Sequence, residues 1–528
     1  AMAAAGASPS DAAPGVQVRP AHGVPPAGAG EQESTADAAS SAPSFAENSA
    51  LWGSLSDQES CAVSDKDFSG DDGGAATGRR LLPLLYLVNG VNGADTVLLP
   101  CVFYALQQDL GLSLGRLAAM SMVQALAGNI AGPMWGVMAD RGSMRRKDIL
   151  ALGCIFQGLV TVALAGVDDV WLMMALRALN GAALGSLSPI AQGIVADVTA
   201  PEQRGKVYGG FGIAEKAGIV AGTLLGTNMG RKELMGIAGW RVAFLVVGAL
   251  GASVGVAVMV LMWEPPRRTM AGMGRGCSAI LTELKELASY FRKPSFCVLI
   301  LQACFGCVPW FALNYKTLFF QLGGISDFQA SLIDVFSQVA GAIGWFLGGL
   351  LGDALDRRSR GHGRPVVAQV SVLSGIPVAW FIFKEQPPDG GAFAYYLALF
   401  VVLGLTATWC SAGVGLPILS QIVRSDRRAT IMAWAWTLET SSSVVFGNAM
   451  VGFLAEEVFG YDLEQARTAA QEGGGNVRAL GSALMLVTFF PWMLCFVFFS
   501  FLHWSYPRDL KRLEAEGHAS CGDPHAGC

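Results

Sequence analysis

GVMADRGSMRRK runs from Gly136 to Lys147, and GLLGDALDRR runs from Gly349 to Arg358. Each stretch closes a long apolar segment with a glycine, an aspartate four residues on, and then a cluster of arginines. The aspartates are Asp140 and Asp353, one in each half of the chain. A charged loop that recurs between apolar segments reads as an internal duplication, two halves of six segments each.

The composition fits that reading. Of 528 residues, 52% are hydrophobic and only 15% charged, with a mean hydropathy of +0.44. A soluble chain carries about 25% charge, so much of this surface is built to face hydrocarbon. The net charge of −5 gives no basic footprint for nucleic acid. A span needs about 20 apolar residues of helix, and twelve such runs are present: 81–106, 114–138, 148–166, 170–196, 205–229, 238–262, 294–321, 328–351, 364–384, 393–421, 428–456 and 477–503. Lipid tolerates no open sheet edge, and the alternating strands of a membrane barrel are missing from the sequence. The expected fold is therefore all-α and integral to the membrane: twelve transmembrane helices in two pseudo-symmetric six-helix bundles.

Lysine and arginine in the short loops set orientation. One side holds Arg141, Arg145, Arg146 and Lys147, then Arg204 and Lys206, then Arg267 to Lys293. It continues with Arg357 to Arg364 and Arg424 to Arg428. The opposite loops are acidic or nearly empty, with Asp168, Asp169, Asp327, Glu456, Glu457 and Asp462. The alternation places both termini in the cytosol. It does not distinguish the plasma membrane from an endolysosomal or vacuolar one. Residues 1–80 are rich in Ala, Ser, Gly and Pro and read as a disordered cytosolic tail. Residues 81–262 form the first bundle and 294–506 the second. Residues 263–293 are a cytosolic linker with a short helix, marked by Leu281, Leu284, Leu287 and Phe291. Residues 507–528 are a C-terminal tail.

Ionisable residues inside spans cost at least about 2.5 kcal/mol each near the bilayer centre, so they mark a cavity or a partner. The first half holds Asp95, Arg177, Glu215 and Lys216; the second holds Lys316, Asp334 and Glu439. Asn89 and Asn92 precede Asp95. Ser331, Asp334 and Gln338 share one helix face. Asp95 is the candidate proton carrier, with Arg177 as the charge that loads or unloads it and Asn92, Glu215 and Lys216 beside them. Lys316, Asn314, Asp334, Gln338, Glu439, Trp310 and Trp434 are candidates to hold substrate, with Lys316 free to pair with either Asp334 or Glu439. Glycines at every fourth position, such as Gly181 and Gly185, Gly218 to Gly226 and Gly344 to Gly352, mark faces where backbones approach. No metal-ligand spacing, nucleotide loop or nucleophile triad appears, so no cofactor and no enzyme activity are expected.

Taken together, the chain resembles a major facilitator superfamily transporter. That family's loop reads Gly-x-x-x-Asp-Arg-x-Gly-Arg-Arg. Gly136, Asp140 and Arg141 match, with Arg145 one step late; Gly349, Asp353 and Arg357 match in the second copy. The resemblance implies a conformational latch, with the loop Asp near the amino end of the eleventh span and the loop Arg against Asp197. Within the superfamily the chain is similar to Spinster-type transporters, through Asn92 and Asp95 in the first span and through Arg177, Ser186, Ser188, Ala196 and Asp197 in the fourth. It departs from them at Thr96 and Leu184. That likeness implies rocker-switch transport, proton-coupled, of a lysophospholipid or sphingoid lipid by a monomer. The alternatives are a small organic anion, sugar or amino acid as substrate, or a membrane sensor that keeps the fold without transporting.

Overall fold

Within hydrocarbon, a backbone can satisfy its N–H and C=O groups inside one segment only by forming a helix. The computed structural model describes residues 72–140, 144–199, 201–263, 285, 287–388, 390–423, 428–468 and 474–521. In the first half they form α1 (Asp72–Cys101), α2 (Phe103–Leu110), α3 (Leu114–Asp140), α4 (Arg146–Leu164), α5 (Val170–Val198), α6 (Pro201–Gly230) and α7 (Gly239–Leu261). A small hairpin, β1 (Glu233–Leu234) and β2 (Ile237–Ala238), joins α6 to α7 through Met235 and Gly236, both at positive φ. Such a turn matches the natural twist of paired strands.

The second half holds α8 (Pro294–Gly306), α9 (Val308–Ala312), α10 (Lys316–Leu322), α11 (Asp327–Arg358), α12 (Gly363–Phe383), α13 (Ala392–Ala407), α14 (Leu416–Ile422), α15 (Arg428–Val444), α16 (Met450–Phe453), α17 (Leu463–Thr468) and α18 (Gly474–Cys521). Four expected spans are thus interrupted, the first of them at Val102 between α1 and α2. The seventh breaks at Gly306 to Tyr315, where Pro309 removes a backbone donor. The tenth contains a π-helical turn at Ser411–Gly415, and the eleventh has two, at Val445–Ala449 and Leu454–Val458.

Every expected apolar run is helical, and nine helices among the described residues are long and apolar enough to cross a membrane. The three runs that fall short correspond to α3, α6 and α15. α3 packs on α15 and its continuation, and α6 packs on α11. These helices meet across the two halves, so their polar residues face protein rather than lipid. The helix ends differ from expectation. α1 begins at Asp72, inside the segment read as disordered, and α18 runs to Cys521, through most of the expected tail. Hydropathy marks where hydrocarbon ends, which is not where a helix must end. The extension of α18 also docks, because buried Asp509 accepts the Ser295 N–H at the start of α8 at 3.0 Å. Of the expected linker helix, Leu287 and Tyr290 are buried in the core while Phe291 is exposed; Leu281 and Leu284 lie outside the described residues, as does the segment 1–71.

The two halves repeat one packing scheme. α1 pairs with α6, α3 with α5 and α4 with α7; in the second half α8 pairs with α15, α11 with α13 and α12 with α18. In order along each half these are first with fifth, second with fourth, and third with sixth. The glycine faces lie in these contacts. A methyl at Gly181 would overlap the Gln124 carbonyl on α3, and one at Gly344 the Gly404 carbonyl on α13. Gly218 likewise sits on the backbone of Gly90. These faces pack helices within a half, not one half on the other.

The core divides unevenly. One large apolar cluster joins the second half to the first half's end away from the basic loops, through residues such as Leu98, Phe103, Leu114 and Phe244. A separate cluster fills the first half's basic end, with Leu85, Ile149, Ile194 and Phe211.

Candidate functional site

Asp95 and Arg177 are almost completely buried, at 0% and 1% exposure. An ionised pair in such a place must be connected or it would cost several kcal/mol. No direct ion pair joins them among the described residues; three other side chains do, and a fourth, Gln157, bonds Asp95 alone. Arg177 on α5 donates from Nη2 to Gln124 Oε1 on α3. Gln124 Nε2 donates to Asn180 Oδ1 at 2.7 Å, and Asn180 Nδ2 donates to Thr161 Oγ1 at 2.9 Å. Thr161 donates to Asp95 Oδ2 at 2.6 Å, and Gln157 Nε2 donates to the same oxygen at 2.6 Å. All donors point from the cation toward the anion, an alignment in which each bond polarises the next. The close α3–α5 crossing at Gly181 brings Gln124 and Asn180 into contact. Asp95 Oδ1, Arg177 Nε and Arg177 Nη1 are buried without a hydrogen-bond partner.

A second polar group bridges the halves along α6 and α11. Lys316 pairs with Asp334 at 2.5 Å, so of its two expected partners it takes Asp334. Thr223 donates to Asp334 at 3.5 Å, Lys216 to Gln338 at 3.4 Å and Asn228 to Ser331 at 3.1 Å; Arg231 pairs with Asp327 at 3.3 Å. Glu215 lies beside Lys216 and Asn89, and Lys216 is within electrostatic reach of Lys316 and Asp334. Glu439 stands apart, accepting from the Cys307 thiol at 2.5 Å. Asn314 donates to Asn448 at 3.0 Å. Asn92 is half-buried, and its carbonyl accepts the Thr96 hydroxyl. Trp310 stacks at a tilt on Trp492, 6.1 Å between ring centres, and Trp434 packs against the core.

Among the described residues, cross-half side-chain bonds run from the face away from the basic loops to Lys216–Gln338 and to Asn129, which donates to Thr440 and Ser441 at 3.0 Å. Toward the basic face, Ile213 is 73% exposed, Met134 64% and Trp436 42%.

The loop residues divide in the same way. Gly136 and Gly349 face open space. Asp353 is held within its own half by Arg364 at 2.6 Å, and Arg364 also pairs with Asp356 at 3.3 Å, while Arg357 and Arg145 are exposed. Arg141 and the side chains of Asp140 and Asp197 lie outside the described residues. Sequence reasoning missed Gln124, Gln157, Thr161 and Arg364. The i, i+4 spacing of Gln157 and Thr161 in an apolar helix was the available signal.

Known proteins carry the same architecture. The family model described as Major Facilitator Superfamily matches residues 85–447. Protein spinster homolog 1 of Xenopus tropicalis is 24% identical over 405 residues, covering 71% of this chain and 72% of that protein. Quinolone resistance protein NorA of Staphylococcus aureus (strain MRSA252) is 26% identical over 194 residues, covering 37% of this chain and 47% of its own. Among solved structures, a bacterial homolog to human lysosomal transporter Spinster, in an inward-facing and unoccupied conformation, aligns with a TM-score of 0.71 at 18% identity. That alignment covers 83% of this chain and 99% of that one. A D-xylose-proton symporter aligns with a TM-score of 0.55 at 17% identity, over 78% of this chain and 97% of that one. With its helical spans, repeated halves and the family match over most of its length, the chain belongs to the major facilitator superfamily as a Spinster-like, multi-pass membrane transporter rather than an enzyme.

Proposed function

We propose that the chain is a proton-coupled transporter that moves a lysophospholipid or sphingoid lipid by rocking its two halves about a central site. The observation that carries this reading is the polar group that joins α6 to α11 across the halves, with Ile213, Met134 and Trp436 exposed toward the basic face. We read those side chains as walls of a wedge, and a wedge with Lys216, Lys316 and Asp334 near its apex suits an amphiphile, whose chain lies along the walls while its charged head meets the polar group. The basic face is the cytosolic one by the lysine and arginine rule, so both termini are cytosolic and this conformation opens inward. Asp95 takes and gives the proton, and Arg177 reads that charge through Gln124, Asn180 and Thr161.

Gly136 and Gly349 support the rocking step. They face open space here, as expected of positions that become contacts when the basic face closes. A second reading, a small organic anion, is favoured by the convergence of Lys216 and Lys316 from the two halves. Thermal stabilisation of the purified protein separates the two. A lysophospholipid and sphingoid pool stabilises under the first reading, and a pool of organic anions, sugars and amino acids under the second. Flux into proteoliposomes under an imposed pH gradient then tests coupling. Gradient-driven uptake that persists unchanged in Asp95→Asn overturns the proton role.

A further inference from the structure

On the face away from the basic loops, α3 begins against the last turn of the eleventh span. A helix leaves its first N–H groups without partners and carries a partial positive charge at that end. Ser113 caps α3 from within its own half, accepting the Arg116 N–H at 3.3 Å. The first two donors of the helix are met by the other half. Glu456 accepts the Leu114 N–H on Oε1 and the Gly115 N–H on Oε2, the latter at 3.4 Å. Glu456 lies in the π-helical turn Leu454–Val458, and such a turn re-aims a side chain at the point where it occurs.

The seam around this contact is tight. A methyl on Gly452 would stand 3.0 Å from the Gly115 nitrogen. Tyr315 donates to the Leu114 carbonyl at 3.0 Å, and Tyr461 donates to Gln107 Oε1 at 2.9 Å. Thus a carboxylate of one half completes the cap of a helix in the other, where the start of α3 lies beside the end of the antiparallel eleventh span.

We infer that Glu456 is a positioning residue of the transport cycle: it latches the closed face by capping α3 across the halves. The inference rests on the alternating-access reading. When this face opens, the two bonds to Leu114 and Gly115 must break, and their strength sets how often it does.

The test uses the full chain in lipid nanodiscs with spin labels carried on non-canonical amino acids. One pair, at Lys232 and Gln386, spans the latched face; the other, at Lys206 and Arg358, spans the basic face. Glu456→Gln is expected to raise the ratio of open to closed populations at the latched face about tenfold, the loss of one charged hydrogen bond. Distances on the basic face shorten in step. Glu456→Asp, which keeps the carboxylate, stays near wild type. If Glu456→Gln does not fold, Gly452→Ala presses on the same seam and shifts the populations the same way. Unchanged distances, or lengthening on one face without shortening on the other, overturn the latch. A wild type that never shows the reciprocal change, with the lipid pool or under a pH gradient, overturns alternating access itself. A wild type that shows it while Glu456→Gln stays unchanged overturns only the latch.

Discussion

Asp95 accepts two hydrogen bonds on Oδ2 and none on Oδ1, and Arg177 uses one of its guanidinium nitrogens while Nε and Nη1 have no partner. Such a network is more sensitive to losing one charge than to losing both. Arg177→Gln alone leaves Asp95 charged and buried, and about 3–5 kcal/mol of stability is expected to go with it. Adding Asp95→Asn should recover about 1–3 kcal/mol, the coupling of residues in one network. Thermal unfolding of the two variants in one detergent measures this; a double variant that melts lower than Arg177→Gln removes the coupling. The charged ends of this network were legible in the sequence, because an ion in a span is costly enough to stand out. Its middle was not. Gln124, Thr161 and Gln157 are uncharged and cost far less in a helix; beyond the i, i+4 spacing of Gln157 and Thr161, they acquire meaning when four helices bring them together.

At the scale of the element, glycine separates fixed contacts from moving ones. Gly181 sits where any β-carbon would overlap the Gln124 carbonyl, whereas Gly136 and Gly349 meet nothing. Gly181→Val is expected to separate α3 from α5 and to lower stability by roughly 1–3 kcal/mol or more, as overpacking does. Gly136→Val and Gly349→Val should melt within about 0.5 kcal/mol of wild type, as surface changes do, yet lose transport because the basic face no longer closes. Melting curves beside uptake assays check both halves of this, and full uptake by Gly136→Val would end the idea that the loop becomes a contact. The positions of the helices were readable from apolar runs and loop charge. The break in the seventh span had its mark in Pro309, but the π turns of the tenth and eleventh and the length of α18 were not readable. The extension of α18 meets a partner at α8, where Asp509 accepts the Ser295 N–H, and hydropathy carries no trace of that.

Across the whole molecule, one apolar cluster binds the second half to the first half's far end, and a separate cluster fills its basic end. Two bodies joined at one edge can exchange which edge is joined only if the polar bonds along α6 and α11 release. Asn228 donates to Ser331 there at 3.1 Å, which puts cysteines at the two positions within reach of a short, reducible bifunctional thiol cross-linker. The double variant Asn228→Cys, Ser331→Cys is therefore expected to transport before cross-linking, to lose most of its uptake after it and to recover on reduction, with each single variant as a control for the native thiols. Because the proposed wedge stays open on the basic side in the bridged form, stabilisation by the bound ligand pool should survive cross-linking. Binding without transport would place the obstruction in the rocking step. Undiminished uptake by the bridged protein would mean that the halves need not part along α6 and α11, and that substrate passes by some route other than the wedge.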